Sequence, residues 1–327
     1  MKNSLILTFI LVCIIPSLLL CFFDRTDSSK NEDNSLWEGQ SPASDEEPSD
    51  QEDPPKADVF VSVLKADQVS EMALEDYVLC VVLAEMPVDF EAEALKAQAV
   101  VARTYTCRKL EEPKHNSADV CTDPSCCQAY MEPGDFLNSG GTEESIQKVN
   151  DAVMSTAGEV ILYQGELIEA TYFSCSGGKT EDAAAVWGSD VPDLQSVSSP
   201  GEEKASHYTD TVRFSATEFC DRLGVALSGN PGAWIENITY TEGGGVDTIV
   251  LQGNTFSGTE LRQKLGLRST AFVITAAGDS VTVTTKGFGH RVGMSQYGAE
   301  AMAVQGSTYE EILKHYYTGT SLSNLFG

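Results

Sequence analysis

Positive charge is scarce in this chain. Its 21 lysines and arginines face 49 acidic residues, for a formal net charge of −28. That balance argues against a nucleic-acid partner, which needs a clustered basic face. It leaves open a sugar polymer, whose contacts are hydroxyls and amides. An acidic surface also repels anionic lipid and teichoic-type polymers at low salt. Cysteine is limited too. Of 9 cysteines, Cys13 and Cys21 fall in an apolar N-terminal run. The others are Cys80, Cys107, Cys121, Cys126, Cys127, Cys175 and Cys220, an odd set that does not make a complete disulfide framework. There is no clean internal repeat. A glycine-rich motif near the C-terminus has no βαβ unit before it, so it does not read as a nucleotide site.

The long apolar run extends from Leu5 to Phe23, broken only by Thr8, Pro16 and Ser17. As a helix it spans about 28 Å, enough for a bilayer core. Lys2 precedes it, and the positive-inside bias puts residues 1–4 in the cytoplasm and the rest of the chain outside. A cleaved signal peptide is the alternative. No small-x-small site follows the run, so a retained transmembrane anchor over 5–23 is expected. Residues 24–56 are rich in Asp, Glu, Ser and Pro and read as a disordered acidic tether. Residues 57–327 then form the ectodomain.

The ectodomain is organised around the stretch from Asp76 to Arg108. Tyr77 to Ala84 is almost wholly apolar and reads as a buried helix continuing back through Leu74. Glu85 closes it, and Pro87 disfavours helical geometry at Met86. A second helix is expected from about Glu91 to Arg108, with Glu91 and Glu93 near its positive end and Arg103 and Arg108 near its negative end. Ala94, Ala97, Ala99 and Ala102 keep its surface low, so that another backbone can pack closely. Glu85 is thus a carboxylate at the end of an apolar helix, beside a turn. Burial there would favour its protonated form, as a general acid requires. The plainer reading is a solvated helix-end glutamate. Lys96 and Arg103 share one face of the second helix, and Gln98 and Tyr105 share another.

Further along, strands are expected at Val59–Leu64 and Tyr208–Phe214, with a hairpin from Val160 to Ser174 turning at Gln164-Gly165. Paired strands are expected around Gly243-Gly244-Gly245 and around Gly278-Asp279. Helices are expected at about Glu143–Thr156, after Ser215, at Gly258–Leu265, at Ser295–Val304 and at Tyr309–Tyr317. Ala183 to Ser199 reads as loop, containing Trp187. Helix and strand fall in runs rather than alternating, so the fold class is α+β: a helical hairpin packed with antiparallel sheet elements, with a β-rich subdomain inserted at about 205–285.

Two loops carry chemistry. Residues 287–298 read GFGHRVGMSQYG, with four glycines that let backbone approach a ligand or pack tightly, and His290, Ser295, Gln296 and Tyr297 as polar groups. The plainer reading is a tight strand-to-helix connection. The loop containing His115, Cys121, Cys126 and Cys127 supplies a full Cys3His set for a structural zinc ion, with no open position. A disulfide such as Cys121 to Cys126 is the alternative outside the cytoplasm.

Taken together, LAEMP, EALKAQAVVARTY, TYFSCSGGKT and GFGHRVGMSQYGAEAM resemble the stage II sporulation protein D family, peptidoglycan lytic transglycosylases of endospore-forming bacteria. The resemblance runs from about Val59 to the C-terminus. It implies that Glu85, in the AEMP motif, is the catalytic acid. It matches Lys96 and Arg103 to a lysine and an arginine of the family's alanine-rich helix. Tyr172 matches its tyrosine before the Ser-Gly-Gly loop, and His290 through Ala299 match its terminal GHGVGMSQYGA motif. Lys96, Arg103, Tyr172, Ser176, His290, Ser295, Gln296 and Tyr297 are thereby expected to meet substrate. Clostridial-type relatives look similar in the metal loop, with Cys126 here in place of their second histidine. Arg291 stands where the motif has glycine, and a positive φ there would strain it.

The implied activity is cleavage of N-acetylmuramic acid to N-acetylglucosamine bonds in denuded glycan strands, leaving a 1,6-anhydro product, for septal remodelling and engulfment. The implied partners are the sporulation amidase, stage II sporulation protein P, and the membrane protein stage II sporulation protein M. The implied location is the mother-cell membrane, facing the septal intermembrane space. The competing functional reading is a non-catalytic, glycan-binding activator of a partner amidase.

Overall fold

Why the apolar Tyr77–Ala84 run becomes helix is visible from what surrounds it. The computed structural model describes residues 59–326; the expected anchor at 5–23 and tether at 24–56 lie outside them. Strands β1 (Phe60–Lys65) and β2 (Gln68–Ala73) form an antiparallel hairpin. Ala66 and Asp67 at its turn both take positive φ, the twist that matches such strands. Helix α1 (Leu74–Glu85) follows at once and ends where expected, with Met86 extended before Pro87. Helix α2 (Ala92–Glu111) runs three residues past Arg108, because no breaker precedes Pro113.

The metal-loop region was expected to be irregular throughout, but β3 (Val120–Cys121) pairs in parallel with β1. Short α3 (Pro133–Asn138) follows, then α4 (Glu143–Ser155), whose N-cap Thr142 accepts the Ser145 N–H. Strands β4 (Glu159–Tyr163) and β5 (Glu166–Leu167) turn at Gln164-Gly165, both at positive φ. The expected hairpin stops there. Ile168 and Ala170 turn into the main core instead. Strand β6 (Tyr172–Phe173) then pairs in parallel with Met294–Ser295 of the glycine-rich segment. Core burial and a distant partner override local pairing.

One turn of helix, α5 (Ala183–Trp187), interrupts the expected loop, capped by Asp182. Next come β7 (Thr209–Ser215), α6 (Ala216–Leu223), β8 (Ile235–Tyr240), β9 (Val246–Leu251), β10 (Asn254–Ser257) and α7 (Gly258–Leu265). After β11 (Phe272–Ala277) and β12 (Ser280–Lys286) the chain enters the glycine-rich segment. It ends with β13 (Met294–Ser295), α8 (Gln296–Val304), α9 (Tyr309–Tyr316) and β14 (Ser321–Asn324). The sheets run β10-β9-β8, β11-β12-β7 and β14-β4-β5, all antiparallel. The fold is α+β.

Two hydrophobic clusters hold these elements. The first surrounds α2, which packs against α1, α4, α8, α9 and β4. Ala94, Ala97, Ala99 and Ala102 are fully buried there, which is how so many elements approach one helix. The second cluster draws only on residues between 212 and 283, including Phe219, Trp234, Ile249, Leu261 and Val283. Among the described residues no helix is long and apolar enough to cross a membrane.

Candidate functional site

Glu85 is half-buried at the last turn of α1, where the chain must leave helix before Pro87. Its Oε1 accepts the Ala129 N–H at 2.7 Å and the Tyr172 hydroxyl at 2.9 Å. The same hydroxyl lies 3.2 Å from Gln128 Oε1, and Gln128 Nε2 donates to Thr106 on α2. Tyr172 comes from β6, so pairing with β13 fixes the tyrosine against the carboxylate. Burial, and then the Glu85 charge, hold the Tyr172 hydroxyl well above its ordinary pKa. It therefore stays a proton donor to Glu85 at physiological pH. Gln296, at the start of α8, donates to the Glu85 backbone carbonyl at 3.0 Å.

These groups open onto a cavity of about 380 Å³. Its walls include Tyr105, Gln128, Tyr172, Phe173, Phe288, His290 and Gln296, and Glu85 is the one acidic side chain among the described residues that line it. His290 packs between the Phe173 ring at 5.7 Å and the Trp187 ring at 5.6 Å. Its Nδ1 accepts the Val292 N–H at 3.1 Å, which places the ring proton on Nε2. Burial lowers its pKa to about 4, with the Arg262 charge adding to the effect, so it is neutral at physiological pH.

The glycine-rich loop is tight for a specific reason. A Cβ on Gly293 would strike the Thr171 carbonyl oxygen, so only glycine lets this strand lie beside β6. Arg291 does take a positive φ, of 69°. Its buried guanidinium donates to the carbonyls of Ser176, Lys179 and Gly243 at 2.6–2.8 Å and to Glu181 Oε1 at 3.0 Å. Glu181 Oε1 also accepts from Thr241 and from the Gly245 N–H. The strain is thus balanced by a charged bolt from the glycine-rich loop to the β8–β9 turn.

Of the residues expected to meet substrate, Tyr172, His290 and Gln296 gather around Glu85, and the others do not. Arg103 is fully buried, with its guanidinium on Glu75 (2.5–3.1 Å) and on the Val153 and Glu159 carbonyls. It ties α1, α2, α4 and β4 together. Lys96 pairs with Glu93 at 2.7 Å and lines a separate groove beside α4. Ser176 and Ser295 are fully buried and both donate to Glu202, which also accepts from Ser199 and the Gly177 N–H. Tyr297 sets its ring edge-on against Phe90. Sequence reasoning missed Gln128 and the Ala129 N–H. Their position directly after Cys126-Cys127 was the available signal. Nothing in the local pattern marked Glu202.

His115, Cys121, Cys126 and Cys127 bring their ligand atoms within 4.8 Å of one another. His115 Nε2 lies 3.4 Å from Cys127 Sγ and 3.8 Å from Cys126 Sγ. Ligands of a tetrahedral zinc ion sit about 3.5–3.8 Å apart at ordinary Zn–S and Zn–N bond lengths, so the donor set fits. All seven cysteines of the described residues are free thiols.

These features define an α+β protein whose cleft is organised about one acid, held by a tyrosine and by a backbone N–H that follows a Cys3His cluster. A family model described as Stage II sporulation protein matches residues 64–163. Stage II sporulation protein D of Bacillus subtilis (strain 168) is 44% identical over 264 residues, covering 78% of this chain and 76% of that one. Stage II sporulation protein D of Bacillus amyloliquefaciens is 42% identical over 261 residues, covering 78% and 75%. The amidase enhancer of Bacillus subtilis (strain 168) is 30% identical over 298 residues, covering 73% of this chain and 39% of that protein. The chain belongs to the stage II sporulation protein D family and is a sporulation protein.

Proposed function

We propose that the chain is a peptidoglycan lytic transglycosylase that cleaves N-acetylmuramic acid to N-acetylglucosamine bonds in denuded glycan. One observation carries this reading: Glu85 is the sole carboxylate on the cavity wall among the described residues. Hydrolytic glycosidases of the common kinds need two carboxylates, about 5–9.5 Å apart. A one-acid cleft suits a reaction in which the substrate supplies both nucleophiles.

With two donors on Oε1, the proton of neutral Glu85 sits on Oε2. Glu85 gives that proton to the bridging oxygen as the glycosidic bond breaks. The acetamido oxygen of the muramic sugar bonds to C1 and carries the developing charge. The Glu85 carboxylate then takes the proton of the 6-hydroxyl, whose oxygen displaces the acetamido oxygen from C1 and closes the 1,6-anhydro ring. Glu85 ends as it began. Tyr172 and the Ala129 N–H stabilise the carboxylate between the two proton transfers. Gln296 and His290 flank the same space.

Zinc held by His115, Cys121, Cys126 and Cys127 would be structural, clamping the loop that ends in Gln128 and Ala129. We further propose that the chain is anchored by residues 5–23 with its N-terminus cytoplasmic and its cleft facing the septal intermembrane space. It would work beside stage II sporulation proteins P and M. Likeness to a protein named amidase enhancer favours a second reading, in which the chain binds glycan and activates a partner amidase without chemistry of its own.

Glu85→Gln separates the two. On purified denuded glycan it is expected to lower the yield of anhydro-ended products at least 100-fold, on the order of general acid–base loss. Mass spectrometry distinguishes those ends from hydrolysed ones. Anhydro products at the wild-type rate would remove Glu85 from the chemistry. Full amidase stimulation by the variant would support the second reading.

A further inference from the structure

The Tyr172 hydroxyl has one proton and two acceptors. Glu85 Oε1 lies 2.9 Å from it and Gln128 Oε1 lies 3.2 Å from it. Which atom of the Gln128 amide faces the tyrosine is fixed from behind. Thr106 Oγ1 donates its own proton to the Ala102 carbonyl, one turn back on α2, at 2.8 Å. Toward Gln128 it can therefore only accept. The Gln128 atom 3.1 Å from it must be Nε2, which turns Oε1 toward Tyr172. Thr106 and Gln128 are both buried, so solvent does not reorient the amide.

Two acceptors of different strength make the hydroxyl follow the charge on Glu85. A hydrogen bond to a carboxylate is roughly twice as strong as one between neutral groups. Ionised Glu85 therefore draws the Tyr172 proton. A neutral carboxylic acid accepts only weakly through its carbonyl oxygen, and an amide oxygen accepts better. With neutral Glu85 the proton turns to Gln128. The swing is a rotation about the tyrosine C–O bond and moves no heavy atom. The Ala129 N–H still marks Glu85 Oε1 as an acceptor in both states, so the proton of the acid stays on Oε2.

We propose that Gln128, oriented by Thr106, is a positioning residue that takes the Tyr172 proton when Glu85 is neutral and releases it when Glu85 ionises. This rests on the reading of Glu85 as an acid that starts neutral. Gln128 then keeps Tyr172 bonded in the resting state without holding Glu85 ionised, and Tyr172 is free to meet the carboxylate once its proton has left. Removing Gln128 takes an acceptor from the neutral state and little from the ionised one. The other titratable groups around Glu85 stay uncharged meanwhile. Burial pushes Tyr77 on α1, Tyr105 on α2 and Tyr172 on β6 up, and pushes His290 of the glycine-rich loop down to about 4. Cys127 also lines the cavity and belongs to the Cys3His set.

The test uses full-length protein in neutral detergent, isotope-labelled at the glutamate carboxyl carbon for NMR. The Glu85 resonance is the one missing from Glu85→Gln, and its shift across pH gives the midpoint at which Glu85 loses its proton. Gln128→Leu is expected to lower that midpoint by about 0.5–1 pH unit, the size of one neutral hydrogen bond. Thr106→Val frees the amide to turn Nε2 toward Tyr172 and should shift it the same way. Thr106→Ser keeps the hydroxyl and should leave it at the wild-type value. In a Tyr172→Phe background, Gln128→Leu should add nothing. On denuded glycan the alkaline limb of the kcat profile should move with the midpoint in Gln128→Leu while KM stays unchanged, because Gln128 is only 1% exposed and offers a sugar almost no surface. A midpoint that stays put in both Gln128→Leu and Thr106→Val would overturn the proposal, as would a shift that survives Tyr172→Phe. If Gln128→Leu does not fold, the two Thr106 variants decide alone. The resonance needs no turnover, so a wild-type protein that makes no anhydro ends would sink the transglycosylase reading and leave the Gln128 result standing.

Discussion

His290 shows at the scale of one side chain how the cleft is adapted to neutral pH. Its folded pKa of about 4 lies below the ordinary histidine value, because the ring is buried beside Phe173 and Trp187, near Arg262. Between pH 6.5 and about 4 the unfolded chain binds this proton and the folded chain does not. Stability therefore rises with pH across that window. The contribution is complete above the unfolded value and is lost as pH falls through the folded one. The ceiling on this loss is about 3 kcal/mol. Urea unfolding at pH 7 and at pH 4.5 should thus show a smaller stability drop for His290→Gln than for wild type. Equal drops would mean the ring is hydrated and titrates normally. The helix-end place of Glu85 was legible from Pro87, and Tyr172 was singled out by the resemblance of its motif. The resemblance put Arg103, Ser176 and Ser295 at substrate, whereas in the structure they bond to Glu75 and Glu202. Those partners lie far away in sequence, so no local pattern marks them.

Among elements, the glycine-rich loop and the β8–β9 turn depend on one another. Arg291 replaces the glycine of the family motif yet keeps the positive φ that glycine would take freely. The cost of that conformation is about 1–3 kcal/mol. The ion pair with Glu181, buried on both sides, and three carbonyl contacts offset it. Arg291→Gly relieves the strain but leaves Glu181 buried without its partner, so a net loss of about 3 kcal/mol is expected. Adding Glu181→Gln should recover part of it. A coupling below about 0.5 kcal/mol in this cycle would show that the two side chains act independently. The Cys3His loop makes a similar link, since Ala129 donates to Glu85 only two residues after Cys127. Purified protein is expected to hold about one zinc per chain, and chelation should lower its thermal midpoint. Zinc well below one per chain would defeat the ligand assignment. Helices α7 and α9 were legible because their caps are local, and the end of α1 because Pro87 breaks it. The pairings β1 with β3 and β6 with β13 were not, because parallel partners lie beyond any local signal.

Across the whole molecule, charge would set how the cleft meets a glycan polymer on the proposed reading. Residues 59–327 carry 37 acidic and 17 basic side chains, a net charge of −20. Denuded glycan would carry one carboxylate per muramic sugar, so approach is opposed at long range. The Debye length is about 30 Å at 0.01 M salt and about 8 Å at 0.15 M. Raising salt through that range screens the repulsion between molecule and polymer. Binding of the Glu85→Gln protein to free-acid glycan should therefore tighten as salt rises from 0.01 to 0.15 M, chiefly through a faster association rate. That is opposite to what a basic polymer-binding protein shows. The same glycan with its carboxylates capped as methylamides, which lacks the charge, should respond little. Stopped-flow association rates on both probes measure this directly. A rate that falls with salt would mean that a local positive field at the cleft outweighs the net charge of the molecule.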